Sequence, residues 1–264
     1  MNVLSLFDGK SCGRVALERC GKEIGKYYSS EIDPYAIKIA MKNYPDTIQL
    51  GSITELKNID WSKNGGIDLI IGGSPCQGFS FAGDQLAFDD PRSALFFEYV
   101  RILKEIQSVN PKVKFFLENV KMKKETSTAI TELLGVDFVE VDSGLVSAQG
   151  RKRLYWTNIK GFVMPEDRGI LLQDVLISGS ALSTKSQTIL ATIYKENAKS
   201  MLKRKKYGLL VAEEKGLRKL SVIECERLQT LPDNYTEGVS DTQRYKMIGN
   251  GWNIDTIVEF FKHI

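Results

Sequence analysis

The sequence predicts an α/β protein: a Rossmann-like sheet with helices on both faces, plus a small inserted lobe. Three observations carry this. Up to about residue 160, short apolar runs alternate with amphipathic stretches, the rhythm of βαβ units on a parallel sheet. Beyond Gly161 the rhythm fades into short polar stretches, and at Leu220 it resumes. At 264 residues and 42% hydrophobic, the chain has material for a large core.

In order, Val3–Phe7 is predicted as the first strand and Gly13–Cys20 as the helix after it. Lys26–Ile32 follows as a strand and Pro34–Asn43 as a helix. The apolar run Ile67-Asp68-Leu69-Ile70-Ile71 predicts a buried parallel strand. Ser93–Ser108 is a long amphipathic helix, Val113–Leu117 a buried strand ending at Glu118, and Thr126–Leu134 a helix. Phe138–Asp142 and Arg153–Thr157 are strands late in the sheet. Leu220–Leu228 is a helix capped by Ser221, with Glu224 three residues on. A closing helix, Ile254–Phe261, follows the turn Gly249-Asn250-Gly251. The expected division is a discontinuous catalytic domain, 1–160 with 219–264, and a lobe over 161–218.

Composition excludes several chemistries. The four cysteines, Cys12, Cys20, Cys76 and Cys225, form no CxxC pair, so neither a zinc site nor a disulfide framework is suggested, and a reducing cytoplasm is expected. The one histidine, His263, is next to last, so proton transfer falls to carboxylates, Lys or Tyr. The chain runs from Met1 straight into a predicted strand, so no leader is expected, and no apolar run reaches membrane-span length. The net charge of +3 is unevenly placed: Lys195 to Lys219 holds nine basic residues against three acidic ones. Such a cluster suits phosphate contact, although a solvated helix face explains many charge runs.

Two loops at predicted strand ends carry chemistry. Gly72-Gly73-Ser74-Pro75-Cys76-Gln77-Gly78-Phe79 puts a thiol where open α/β sheets place their active groups. Two glycines there let backbone approach a ligand, and Pro75 stiffens the residue beside the sulfur. Cys76 is therefore a candidate nucleophile. The second loop is Phe7-Asp8-Gly9-Lys10-Ser11-Cys12-Gly13, a strand–turn–helix whose amides would receive an anionic or polar group. Its spacing is GxxxG rather than the GxGxxG of dinucleotide enzymes. Glu31, at the end of the second strand, can accept from both hydroxyls of a ribose. A ribose acceptor without a pyrophosphate loop points to S-adenosylmethionine rather than NAD.

Taken together, these motifs make the chain resemble the cytosine-C5 DNA methyltransferases over nearly its whole length. FDGKSCG looks like the family's cofactor turn, GGSPCQGFS its nucleophile loop, and FFLENV (Phe115–Val120) the strand bearing its glutamate. Gln149-Gly150-Arg151-Lys152-Arg153 resembles the QxRxR element, Leu220–Pro232 the helix supporting the recognition lobe, and Ile248-Gly249-Asn250-Gly251-Trp252 the final motif. The compact size is most similar to small bacterial or phage enzymes related to vertebrate de novo methyltransferases. Two positions depart from the pattern: Ser52 stands where an aspartate usually lies beside the adenine, and Lys10 where the residue is commonly apolar or small.

The resemblance implies catalysis by Cys76, Glu118, Arg151 and Arg153. It implies cofactor contacts at Phe7, Asp8, Gly9, Lys10, Ser11, Gly13, Glu31, Ile32, Ser52, Ile53, Pro75, Leu95, Asn250 and Trp252. DNA contacts are expected at Gln77, Ser80, Gln149, Lys203, Arg204, Lys205 and Lys206. Arg151 and Arg153 are expected on opposite sides of their strand, barring a bulge, one on cytosine O2 and the other orienting Glu118 or the nucleophile loop. Residues 78–91 are expected to close over a flipped base. The Lys10 ammonium is expected to point to solvent or to the cofactor's carboxylate. A sharper option pairs it with the extra carboxylate of carboxy-S-adenosylmethionine, giving a carboxymethylated cytosine. The expected partner is double-stranded DNA, bound by a monomer with no metal, in a bacterial or phage-infected cell. Rival readings are a tRNA cytosine methyltransferase, whose usual CFT signature is missing here, and an inactive DNA-binding regulator.

Overall fold

The computed structural model of the chain describes residues 1–74 and 91–264, without the side chains of residues 64 and 91–93. The first part builds β1 (Val3–Leu6), α1 (Cys12–Arg19), β2 (Tyr27–Ser30), α2 (Pro34–Asn43), β3 (Ile48–Gln49) and β4 (Leu69–Gly72). Next come α3 (Pro91–Val109), β5 (Lys114–Val120), α4 (Lys124–Leu134), β6 (Phe138–Asp142) and β7 (Lys152–Thr157). There follow α5 (Leu172–Val175), β8 (Ser180–Ala181), α6 (Ala198–Lys203), β9 (Leu210–Glu213) and β10 (Gly216–Lys219). The chain closes with α7 (Val222–Leu228), α8 (Asp241–Asn250) and α9 (Ile254–Phe261).

One seven-stranded sheet runs β3-β2-β1-β4-β5-β7-β6, parallel through β5 and antiparallel at β7. The side-chain period of two sorts its strands cleanly between two cores. Val3, Leu69, Ile71, Phe116 and Tyr155 pack on one face with residues of α1, α2 and α9. Leu4, Leu6, Ile70, Phe115, Leu117 and Trp156 pack on the other with α3 and α4. The predicted two-faced α/β sheet is present. Its order reverses between β1 and β4, so their C-terminal loops part and open a crevice.

Sequence and structure differ in several places, among them the short edge strand β3, which the sequence pattern does not show. Glu118 lies inside β5, paired with Tyr155, because the strand continues through Val120. The stretch ending in Gly249 and Asn250 is the last turn of α8, whose sequence is too polar to show a helical stripe. Residues 161–218, expected to be irregular, contain the three-stranded sheet β10-β9-β8. Its core is shared with the closing helices: Met201, Leu210 and Val211 pack with Leu220, Cys225, Leu228 and Ile248. The Ser221 cap is as expected, with Glu224 N–H donating to its hydroxyl at 3.2 Å and the Glu224 carboxylate accepting from Ser221 N–H at 2.7 Å.

Candidate functional site

A cleft of about 400 Å³ opens at the crevice, walled by the turn after β1, Glu31, Gly73, Glu118, Arg153 and Trp252. The turn after β1 is built from left-handed backbone: Phe7 at φ 59°, Gly9 at φ 60° and Ser11 at φ 63°. Only Gly9 takes that conformation without strain. The other two are held by what surrounds them. The buried Asp8 carboxylate accepts from the Ser11 hydroxyl (2.7 Å), the Tyr27 hydroxyl (2.7 Å) and the Ser29 hydroxyl (3.2 Å). Burial pushes this carboxyl above its usual range, against those hydroxyls. The Tyr235 hydroxyl donates to the Lys10 carbonyl at 2.7 Å. Gly13 lets α1 lie on the sheet: a Cβ there would meet Ile71 Cδ1 at 2.2 Å.

Glu31 ties this turn to β2. Its Oε2 accepts from Gly9 N–H at 2.7 Å and its Oε1 from the Ile32 and Asp33 amides at 2.8 Å each. A carboxylate offers about four lone-pair sites, so Oε2 keeps one, on a side chain that lines the cleft.

Glu118 sits at the far wall, 9% exposed. Arg153 Nε pairs with its Oε1 at 2.9 Å, and the Trp252 indole N–H donates to its Oε2 at 3.1 Å. Burial pushes the Glu118 carboxyl up. Arg153, then Arg151 and the Trp252 N–H, draw it back, and the direction stays upward. Asn119 donates to the carbonyl and hydroxyl of Ser74, 3.3 Å each, fixing the end of β4 against β5. Cys76, with Pro75, Gln77, Ser80 and most of the expected closing loop, lies outside the described residues.

Several expectations are corrected. Arg151 and Arg153 line the same cleft, because residues two apart on an extended chain share a face. Arg151 is buried and its fork is spent on backbone: Nη1 donates to Ile189 O (3.2 Å), Nη2 to Gly249 O (3.2 Å) and Gly251 O (2.9 Å). Burial and the like charge of Arg153 bring it down to about 10. Gln149, expected on DNA, is fully buried. Its amide donates to Leu228 O at 3.2 Å and accepts from Ile189 N–H at 2.8 Å. Both side chains bolt the 187–190 segment to the closing helices. The Lys10 ammonium does not point to solvent. It is 2% exposed and donates to Met247 O at 3.0 Å, in the last turn of α8 where carbonyls carry partial negative charge.

Of the other expected cofactor contacts, Asn250 is exposed at the cleft rim and Ile32 stands 73% exposed beside Glu31. Ser52 caps a short 3-10 turn, accepting from Thr54 N–H at 3.3 Å, while Ile53 is buried and Leu95 packs on the second core. In the lobe, Lys203, Arg204 and Lys205 are exposed, whereas Lys206 is half-buried against Glu196 at 2.6 Å. Two features had no sequence signal: the Trp252 bond to Glu118, and a Lys246–Asp33 ion pair at the cleft mouth, 3.1 Å. Among the described residues no group of three His, Cys, Asp or Glu could hold a metal ion, and no helix is long and apolar enough to cross a membrane.

A sequence model of the family described as C-5 cytosine-specific DNA methylase matches residues 1–134 and 144–264. The chain is similar to the type II methyltransferase M1.ScrFI of Lactococcus lactis subsp. cremoris, 31% identical over 97% of this chain and 75% of that protein. It is also similar to the orphan methyltransferase M.SPRI of Bacillus phage SPR, 36% identical over 61% of this chain and 38% of that longer protein. Among solved structures, Spodoptera frugiperda DNMT2 superposes with a TM-score of 0.71 over 98% of this chain and 97% of its own, at 19% identity.

Proposed function

Because the chain belongs to the C-5 cytosine-specific DNA methylase family, we propose that its cleft transfers a methyl group to C5 of a cytosine flipped out of duplex DNA. The observation that carries this is the Glu118 carboxyl, desolvated yet held between Arg153 and Trp252 in the same cleft as the ribose-type acceptor Glu31.

The cleft fits S-adenosylmethionine. Its volume of about 400 Å³ lies in the roughly 300–1,000 Å³ range of small-molecule sites. Glu31 keeps a lone pair for a ribose hydroxyl, and Lys10 spends one of its three protons on Met247, leaving two for the cofactor's carboxylate. When bound, the cofactor supplies an electrophilic methyl on a sulfonium. The reading takes methyl rather than carboxymethyl as the transferred group because the family whose model matches is one of methylases.

Cytosine C5 is too weak a nucleophile by itself. Cys76, as thiolate, adds to C6; the electrons move to N3, where Glu118 as carboxylic acid donates its proton, and the enamine so formed is nucleophilic at C5. A raised carboxyl is suited to hold that proton at neutral pH. Arg153 holds Glu118 by Nε and has Nη2 without a partner among the described residues, so base O2 is assigned to it and not to Arg151. After transfer, water removes the C5 proton, the Cys76–C6 bond breaks to release the thiolate, and the N3 proton returns to the Glu118 carboxylate. Flipping costs about a few kcal/mol, offset by the base's contacts in the cleft. Lys203, Arg204 and Lys205 contact phosphates, and the lobe meets neighbouring bases in the major groove. One copy holds every residue used here, which supports a monomer. The bacterial and phage origins of the relatives support action in a bacterial or phage-infected cell.

The test is tritiated methyl transfer to duplex DNA and to tRNA, with trapping on 5-fluorocytosine DNA. Transfer to DNA with a covalent complex supports the reading. Transfer to tRNA alone would move the chain to the RNA rival, and neither would leave it a DNA-binding regulator.

A further inference from the structure

The Trp252 indole occupies an unusual place. It follows the end of α8 by two residues and lines the cleft beside Glu118, to which its N–H donates at 3.1 Å. It packs edge-on against Phe116, ring centroids 5.7 Å apart, directly beneath Glu118 on the same strand face. Its other side is filled by backbone: a Cβ on Gly73 would lie 2.9 Å from the indole nitrogen and 3.2 Å from Glu118 Oε2. The ring therefore has one packed orientation, and in that orientation its single donor meets the carboxylate. Arg153 holds the other oxygen.

From this we infer that Trp252 is a positioning residue: its N–H fixes Oε2 of Glu118, divides the carboxylate between two donors, and opposes proton uptake at that oxygen. The inference rests on the function proposed above. An acid that gives its proton to N3 must carry it before the thiolate attacks. Arg153 and Trp252 both favour the ionised form, while burial favours the neutral one. The other groups facing Glu118 are Arg151, before β7, and Tyr155, on β7, whose hydroxyl burial holds above its ordinary range. Removing the indole donor tips the balance towards the acid form without touching either arginine.

The experiment is Trp252→Phe, which keeps an aromatic ring against Phe116. Glu118 is titrated in the free protein by the carboxyl carbon signal of 13C-labelled glutamate, identified by its loss in Glu118→Gln. The expected shift is upward by about one pH unit, the size of one hydrogen bond to a charged group. The basic limb of kcat should move up with it, kcat on the plateau below that limb should fall about tenfold because Oε2 is no longer held in place, and binding of S-adenosylhomocysteine by calorimetry should change less than threefold. An unmoved titration overturns the inference, whether or not binding weakens. Weakened binding alongside it would make Trp252 a cofactor contact only. The titration needs no turnover, so it can fail while methyl transfer stands, and the reverse.

Discussion

Cutting the Arg153–Glu118 pair exposes what each partner contributes. The Nε–Oε1 separation is 2.9 Å and both side chains are 12% exposed. At that distance an effective dielectric near 20 gives a gross attraction of about 6 kcal/mol. Breaking a buried pair by deleting one partner costs about 3–5 kcal/mol, because a charge is left unpaired. Glu118 can escape that cost by taking a proton. Its carboxyl is already raised in the folded state, so folding binds a proton there and stability falls as pH rises from about 4.5 to the folded value. Arg153→Ala lifts the folded value further and stretches that falling window upward. The loss of stability on mutation should therefore be about 1 kcal/mol at pH 5, mostly packing, and about 3–4 kcal/mol at pH 8.5. Urea unfolding of both proteins at the two pH values measures it. A difference that does not change with pH would show that no charge coupling joins the pair, and one that shrinks with pH would refute the assigned sign.

Other outcomes follow from the same geometry. Cys76→Ser should abolish methyl transfer and the covalent complex with 5-fluorocytosine DNA, read on a denaturing gel, while S-adenosylhomocysteine still binds. Arg151→Met should orphan carbonyls at Ile189, Gly249 and Gly251, costing about 2–4 kcal/mol, a melting-temperature drop of roughly 5–10 °C. If Arg151 instead acts on the base, melting stays put and only kcat falls. Lys10→Met should weaken S-adenosylhomocysteine about tenfold by calorimetry, as expected for one lost charged hydrogen bond, and nucleosides from treated DNA should show only 5-methylcytosine by mass spectrometry with either cofactor offered. Replacing Lys203, Arg204 and Lys205 by Ala should flatten the salt dependence of DNA binding by about one unit of slope per lost phosphate contact.

The sheet, its two-sided burial and the loop positions of the chemistry were legible because apolar period and turn residues are local properties. The apolar run around Leu69–Ile71 reads as a buried strand, and Glu31 stands just past the end of one. What stayed hidden depends on partners distant in the chain. Gln149 and Arg151 have the hydrogen-bonding equipment of ligand contacts, yet each satisfies itself on carbonyls or amides of residues 38 to 100 positions away. Nothing in a sequence separates a guanidinium that meets a base from one that clamps three carbonyls. Lys10 is the same case: a cation is expected in water until a helix end supplies its acceptor. The β8–β10 sheet was missed because its strands are two to four residues long and borrow their core from α7 and α8. In α8, only Tyr245, Met247 and Ile248 among its long side chains are buried, too few to mark a face.

The most direct test is modification-sensitive sequencing of DNA from cells expressing this chain beside cells expressing its Cys76→Ser variant. The expected result is 5-methylcytosine at one short recurrent site, and its absence with the variant. Unmodified DNA from the wild-type culture, or the same marks from the variant, would contradict cytosine-C5 transfer through Cys76 and Glu118.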